Sequence, residues 1–284
     1  MSGVEPTVQP LSHASQASAN NPPAPGQPAA SEAALEQLLR LGDSALVHGQ
    51  RLSEWCGHGP AIEEDIALTN VALDCVGQAR LLLALAGQRE ACGRDEDALA
   101  YFRDEAQFRN FTLLELPNGN GPHDDYAMAI VRGFLHSALQ VHLWPALAQC
   151  ADAELAAIAA RSVNEARAHL RHFGQWLIRL GDGTDESHRR VSAALERLFP
   201  YTNEFWASDP IERALAASGH GVIIESLKPL WDRTVDGVLR EAGLTRPGDS
   251  RFVSTGKLGR HSEHLGPMLA EMQSLARAHP GARW

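Results

Sequence analysis

Between residues 61 and 88 the apolar side chains Ile62, Ile66, Leu73, Val76 and Leu83 recur at helical intervals, and Glu63, Glu64 and Asp65 occupy the first turns, where they complement the helix dipole. A helix of this length gains most of its stability from packing, so its apolar positions predict a face turned toward a protein core. The segments on either side repeat the pattern. Ser31 can cap a helix over residues 31–51 with Leu35, Leu38, Leu39 and Leu46 to one side, and the run from Trp55 to Pro60 ends it. Further helices are predicted over residues 95–114, 124–149, 153–180, 186–199 and 222–242, with a short one opened by Asp209 and Pro210. Residues 117–122 and Gly181 to Thr184 are loops by their Pro, Gly and Asn content, and residues 243–267 read as an irregular excursion before a last helix over 268–278.

Composition agrees with a structure made of helices. The chain holds 43 Ala and 36 Leu against 13 Val and 8 Ile, so strong helix formers far outnumber β-branched residues. Long helices with short loops and broad apolar faces predict an all-α fold, a bundle of four central helices with others packed outside. Residues 31–284 are expected to form this single domain. Residues 1–30 carry six of the sixteen prolines and one formal charge, Glu5, and are expected to be a disordered tail.

Charge and cysteine usage limit the function classes. The net charge of −10, with no basic run longer than Arg189-Arg190, disfavours a nucleic-acid binder. Cys56, Cys75, Cys92 and Cys150 form no C-x-x-C pair and are expected to be reduced, mostly buried thiols of a cytoplasmic protein. The longest apolar run, residues 81–87, is far short of the roughly 20 residues a bilayer span needs, so no membrane association is expected.

Helical bundles can hold two irons between a carboxylate on each of two helices and a Glu-x-x-His pair on each of the others. None of the thirteen histidines has a glutamate three residues upstream, and the one Asp-x-x-His, Asp185 to His188, falls in a capping turn. Glu165 and His169 stand four apart on one helix face and could ligate a metal or form an ordinary hydrogen-bonded pair. The cluster His261-Ser262-Glu263-His264 could bind metal or present polar groups to a partner. Asp74, amid the apolar positions of its helix, needs a partner if buried. No G-x-S-x-G, P-loop or dinucleotide fingerprint is present.

Longer strings carry more specific information. Arg40-Leu41-Gly42-Asp43, Gly49-Gln50-Arg51-Leu52-Ser53-Glu54-Trp55-Cys56-Gly57-His58-Gly59-Pro60 and Glu63-Glu64-Asp65-Ile66-Ala67-Leu68 follow one another, then Gly77-Gln78-Ala79-Arg80, Gly93-Arg94-Asp95-Glu96-Asp97 and Phe108-Arg109-Asn110. Pro117-Asn118-Gly119, Arg179-Leu180-Gly181-Asp182-Gly183-Thr184 and Gly259-Arg260-His261-Ser262-Glu263-His264-Leu265-Gly266 complete the series. In these strings the chain resembles the C-subunit family of the ring 1,2-phenylacetyl-CoA epoxidases over all but its first thirty residues.

The resemblance implies a ferritin-like fold and a structural, non-catalytic subunit. Such a subunit pairs with a homologous A subunit that holds the di-iron centre and converts phenylacetyl-CoA to its ring epoxide, with electrons from a separate reductase subunit. It implies no cofactor in this chain. Carried over from the A-type pattern, the ligand positions fall at Ala45 or Ser44, Asp74 and Gly77, Ser137, and Ala166 and His169. Only Asp74 and His169 would remain as possible ligands, and the two are expected to pair. Partner-facing candidates are Trp55, His58, His261, Glu263 and His264. Two other readings stay open: a self-sufficient metal-dependent oxygenase using Asp74, Glu165 and His169, and a helical scaffold unrelated to the epoxidase.

Overall fold

The computed structural model describes residues 30–119 and 125–282. The predicted tail, apart from Ala30, lies outside them, as do Asn120, Gly121 and Pro122 of the predicted loop. The described residues form α1 (Ala30–Ser53), α2 (Ile62–Arg89), α3 (Glu96–Tyr101), α4 (Thr112–Glu115), α5 (Tyr126–Leu147), α6 (Ala153–Gly181), α7 (Asp185–Leu198), α8 (Pro210–Ala217), α9 (Lys228–Glu241) and α10 (Leu265–Ala278). Among the described residues no strand forms; an isolated bridge joins Thr255 to Arg260.

The four long helices are the bundle. α1 packs on α2 and α5 on α6, and α2 also meets α6, while α7 and α9 cover α5. The fold is ferritin-like and all-helical, as the sequence predicts. Glycines bring the helices close at two of these seams. A Cβ on Gly49 would lie 3.1 Å from the Ala72 carbonyl oxygen, and one on Gly133 would lie 2.4 Å from Phe173 Cζ. The Phe173 ring therefore lies against the α5 backbone, and neither seam leaves space for a larger residue.

Helix starts follow ordinary capping. Asp95, Asp125, Asp152, Thr184 and Asp209 each accept a backbone N–H from the first turn of the helix they precede. α2 begins differently: Asp65 reaches back to accept from the N–H groups of Gly57 and Gly59, at 2.7 and 3.1 Å, which ties down the loop after α1.

Three expectations are corrected. Residues 95–114 are not one helix; the chain leaves α3 at Phe102 and makes a short 3₁₀ turn, Glu105–Gln107, before α4. The buried Arg103 guanidinium pairs with the buried Asp43 carboxylate of α1, and Arg109 N–H also donates to Asp43, at 2.8 Å. Satisfying that buried carboxylate outweighs local helix propensity. The helix predicted over 222–242 starts at Lys228, after a 3₁₀ turn (Ile224–Leu227), because Pro229 suits a first helical turn and breaks a preceding one. The cysteines are not mostly buried: Cys56 and Cys92 are exposed, Cys150 is partly covered and Cys75 is buried.

A fourth correction concerns the helix that most constrained the fold. On α2 the core-facing residues are Leu68, Val71, Ala72, Cys75, Ala79, Leu82, Leu83 and Ala86. Of the apolar positions that define its helical period, only Leu83 is among them. Ile62, Ile66, Leu73 and Val76 are 72%, 55%, 62% and 44% exposed. α2 is apolar on two sides, so helical spacing alone did not tell the inward face from the outward one. By length and composition α2 could also cross a bilayer, as the core helix of a bundle often could.

Candidate functional site

At the centre of the bundle a cavity of about 10 Å³ is lined by Leu41, Ala45 and His48 of α1, Cys75 and Gln78 of α2, His136, Ser137, Gln140 and Trp144 of α5, and Ala166 and His169 of α6. One position on α1 (Ala45), a pair three apart on α2 (Cys75, Gln78), one on α5 (Ser137) and a pair three apart on α6 (Ala166, His169) repeat the spacing of a di-iron carboxylate centre. Three of the carried-over positions therefore lie on the cavity wall with His169. The α2 pair is shifted by one residue from the expected Asp74 and Gly77. Gly77 is exposed, and a Cβ there would meet nothing within 4 Å. Asp74 stands at the rim with its side chain 43% exposed.

Hydrogen bonds tie the rim together. His169 Nε2 lies 3.0 Å from Asp74 Oδ2, so the expected pairing is direct. Glu165 does not share a ligand site with His169; its Oε2 accepts from Gln78 Nε2 at 2.8 Å. Glu165 and His169 thus both reach from α6 to α2, each to a different partner.

No carboxylate lines the cavity. Burial, helped by His136, Arg132 and His169, holds His48 well below the usual histidine range. Burial and the nearby His169 push His136 down to about 3. Burial pushes the Cys75 thiol up, with Asp74 and Glu165 adding to the effect, so it stays protonated. A di-iron group brings at least four positive charges and draws on carboxylates to balance and coordinate them. These residues do not fit that group, and among the described residues no three His, Cys, Asp or Glu side chains converge as metal ligands.

Sequence reasoning missed His48, Cys75, Gln78, His136, Gln140 and Trp144. A signal was present on α5, where His136, Gln140 and Trp144 stand at i, i+4 and i+8 of a helix that is mostly apolar. The di-iron signature, a glutamate three residues before each histidine, does not reveal such a row.

The second feature is the outer face of α2. Ile62, Ile66, Thr69, Leu73 and Val76 follow one another in steps of four and three, the seam spacing of paired helices, and the four apolar members are exposed. Exposed apolar patches on a protein surface are candidate interaction sites.

The other partner-facing candidates divide. His58 is exposed, Glu263 is 88% exposed and His264 is 33% exposed in their side chains. Trp55 is buried and stacks edge-on with Tyr126, their ring centroids 5.4 Å apart. The His261 side chain is fully covered: Nδ1 meets Glu115 Oε2 at 2.8 Å and Nε2 meets the Phe108 carbonyl at 3.0 Å. Glu115 also accepts from Asn110 and from the Ser262 N–H. Trp55 and His261 are therefore committed to contacts within the chain, and His261 fastens the C-terminal segment to α4.

Comparison with known proteins agrees with this architecture. The chain is 46% identical over 246 residues, 87% of its length and 97% of the relative's, to the C subunit of the 1,2-phenylacetyl-CoA epoxidase of Escherichia coli (strain K12). A family model described as "Phenylacetic acid catabolic protein" matches residues 18–284. The chain belongs to the phenylacetic acid catabolic protein family.

Proposed function

We propose that this chain is the structural subunit of a multicomponent epoxidase acting on phenylacetyl-CoA, and that it stabilises a catalytic subunit of the same family without performing the chemistry itself. The observation that carries the reading is the exposed α2 stripe of Ile62, Ile66, Leu73 and Val76 beside a core wall without carboxylates. Burying such a stripe against a second bundle is the main favourable term in an obligate interface, which typically covers more than about 2,000 Å². The rigid α1–α2 seam behind the stripe would hold that surface in one shape.

In this reading the di-iron centre belongs to the catalytic subunit, a reductase subunit supplies electrons, and this chain works in the cytoplasm with no cofactor of its own. His58, Glu263 and His264 add a polar rim to the contact. The homology to the C subunit of an epoxidase supports the assignment. The test is co-expression of this chain with a catalytic homologue, gel filtration, and iron analysis of each separated chain. Co-elution with iron confined to the partner is the expected result. Separate elution, or near-stoichiometric iron in this chain, overturns the reading.

A further inference from the structure

Three buried polar atoms have no hydrogen-bond partner within the protein and belong to residues lining the same core cavity: His48 Nδ1, Gln140 Oε1 and Trp144 Nε1. Each side chain is at least nine-tenths buried. Leaving such groups unpaired in a bundle core is costly, and native proteins seldom do so three times in one place.

Their chemistry specifies what would satisfy them. In the orientation the structure gives it, Gln140 Nε2 donates to His136 Nε2 at 2.7 Å, which puts the His136 proton on Nδ1. Gln140 Oε1 is then left as an acceptor. The Trp144 indole N–H can only donate, and the neutral His48 ring can present Nδ1 as donor or acceptor. A small neutral molecule that both donates and accepts meets all three needs. The cavity, at about 10 Å³, has room for a single water, and buried waters typically make about three hydrogen bonds.

We infer that the bundle core binds one structural water between Trp144 Nε1, Gln140 Oε1 and His48 Nδ1, linking α1 to α5 at the place where a related metalloprotein would hold its metal. The wall positions that would carry ligands are filled by the small residues Ala45, Cys75, Ser137 and Ala166, and the water supplies a polar cross-link between α1 and α5. A cation suits the place poorly, since no carboxylate lines it.

Two measurements on the full chain test this. A crystal structure at about 1.5 Å should show one density peak within hydrogen-bond distance of all three atoms. In solution, ¹⁵N-indole spectra should show a long-lived water cross-peak to one of the six tryptophans, assigned to Trp144 by its loss in Trp144→Phe. An empty cavity with no cross-peak overturns the inference. So does rotation of the side chains into a direct Trp144 to Gln140 bond, or one equivalent of Fe²⁺ or Zn²⁺ retained after incubation with the metal alone and lost in His48→Ala.

Discussion

His169 on α6 and Asp74 on α2 meet at 3.0 Å on the rim of the core cavity, joining the two helices that a metal would otherwise bridge. Asp74 is partly open to solvent, so the pair is screened and worth little. Asp74→Ala is expected to lower unfolding free energy in urea by no more than about 1 kcal/mol. A loss several times larger would show that the pair is a main support of the bundle.

Acid should loosen this core. His48 and His136 are held neutral by burial, and their folded-state affinity for protons lies below that of the unfolded chain. The unfolded state therefore binds more protons below about pH 6.5, and stability falls as pH is lowered toward the folded values. His142 and His172 are displaced in the same direction by burial. At His261 burial pulls downward, but the bond to Glu115 and its charge outweigh it and the value is raised, so this contribution is present at low pH and lost as pH rises through the folded value. Between pH 6.5 and 5 the sum should be a falling melting temperature. His136→Gln should flatten that slope; an unchanged slope would assign the dependence elsewhere.

The seam between α5 and α6 has no spare volume. A methyl on Gly133 would overlap the Phe173 ring, so Gly133→Ala is expected to cost about 1–3 kcal/mol in chemical denaturation. Gly77→Ala, whose added methyl meets nothing, should be neutral or slightly stabilising and serves as the control.

Removing His261 should do more damage. Glu115 is fully buried, and His261→Ala takes away one of the two side chains that hydrogen-bond its carboxylate, leaving Asn110 and the Ser262 backbone N–H. A loss of about 3 kcal/mol or more is expected, together with faster amide exchange in the segment before α10.

Charge on the α2 stripe should separate folding from association. Ile66 and Leu73 are mostly solvent-exposed in the free chain, so Ile66→Asp with Leu73→Asp should change its stability by less than about 1 kcal/mol. The same pair of changes should weaken binding to a catalytic homologue at least about 100-fold by titration calorimetry, because it places charges in a desolvated contact. Unchanged affinity would move the interface away from α2.

Much of this protein was legible in its residues. The excess of Ala and Leu, the capping aspartates and the positions of Pro and Gly determined an all-helical chain and most helix ends, because those signals act within a turn or two of the backbone. Which side of α2 faces inward was decided by tertiary structure, since both sides are apolar and only packing against α1 and α6 distinguishes them. The break after α3 was likewise set by Asp43, 60 residues before Arg103, which it draws out of the helix. Ala45, Cys75, Ser137 and His169 come from four helices and meet only when those helices pack. Side-chain identity carries local propensity, whereas the cavity, its carboxylate-free wall and the exposure of the α2 stripe are decided by how distant segments pack.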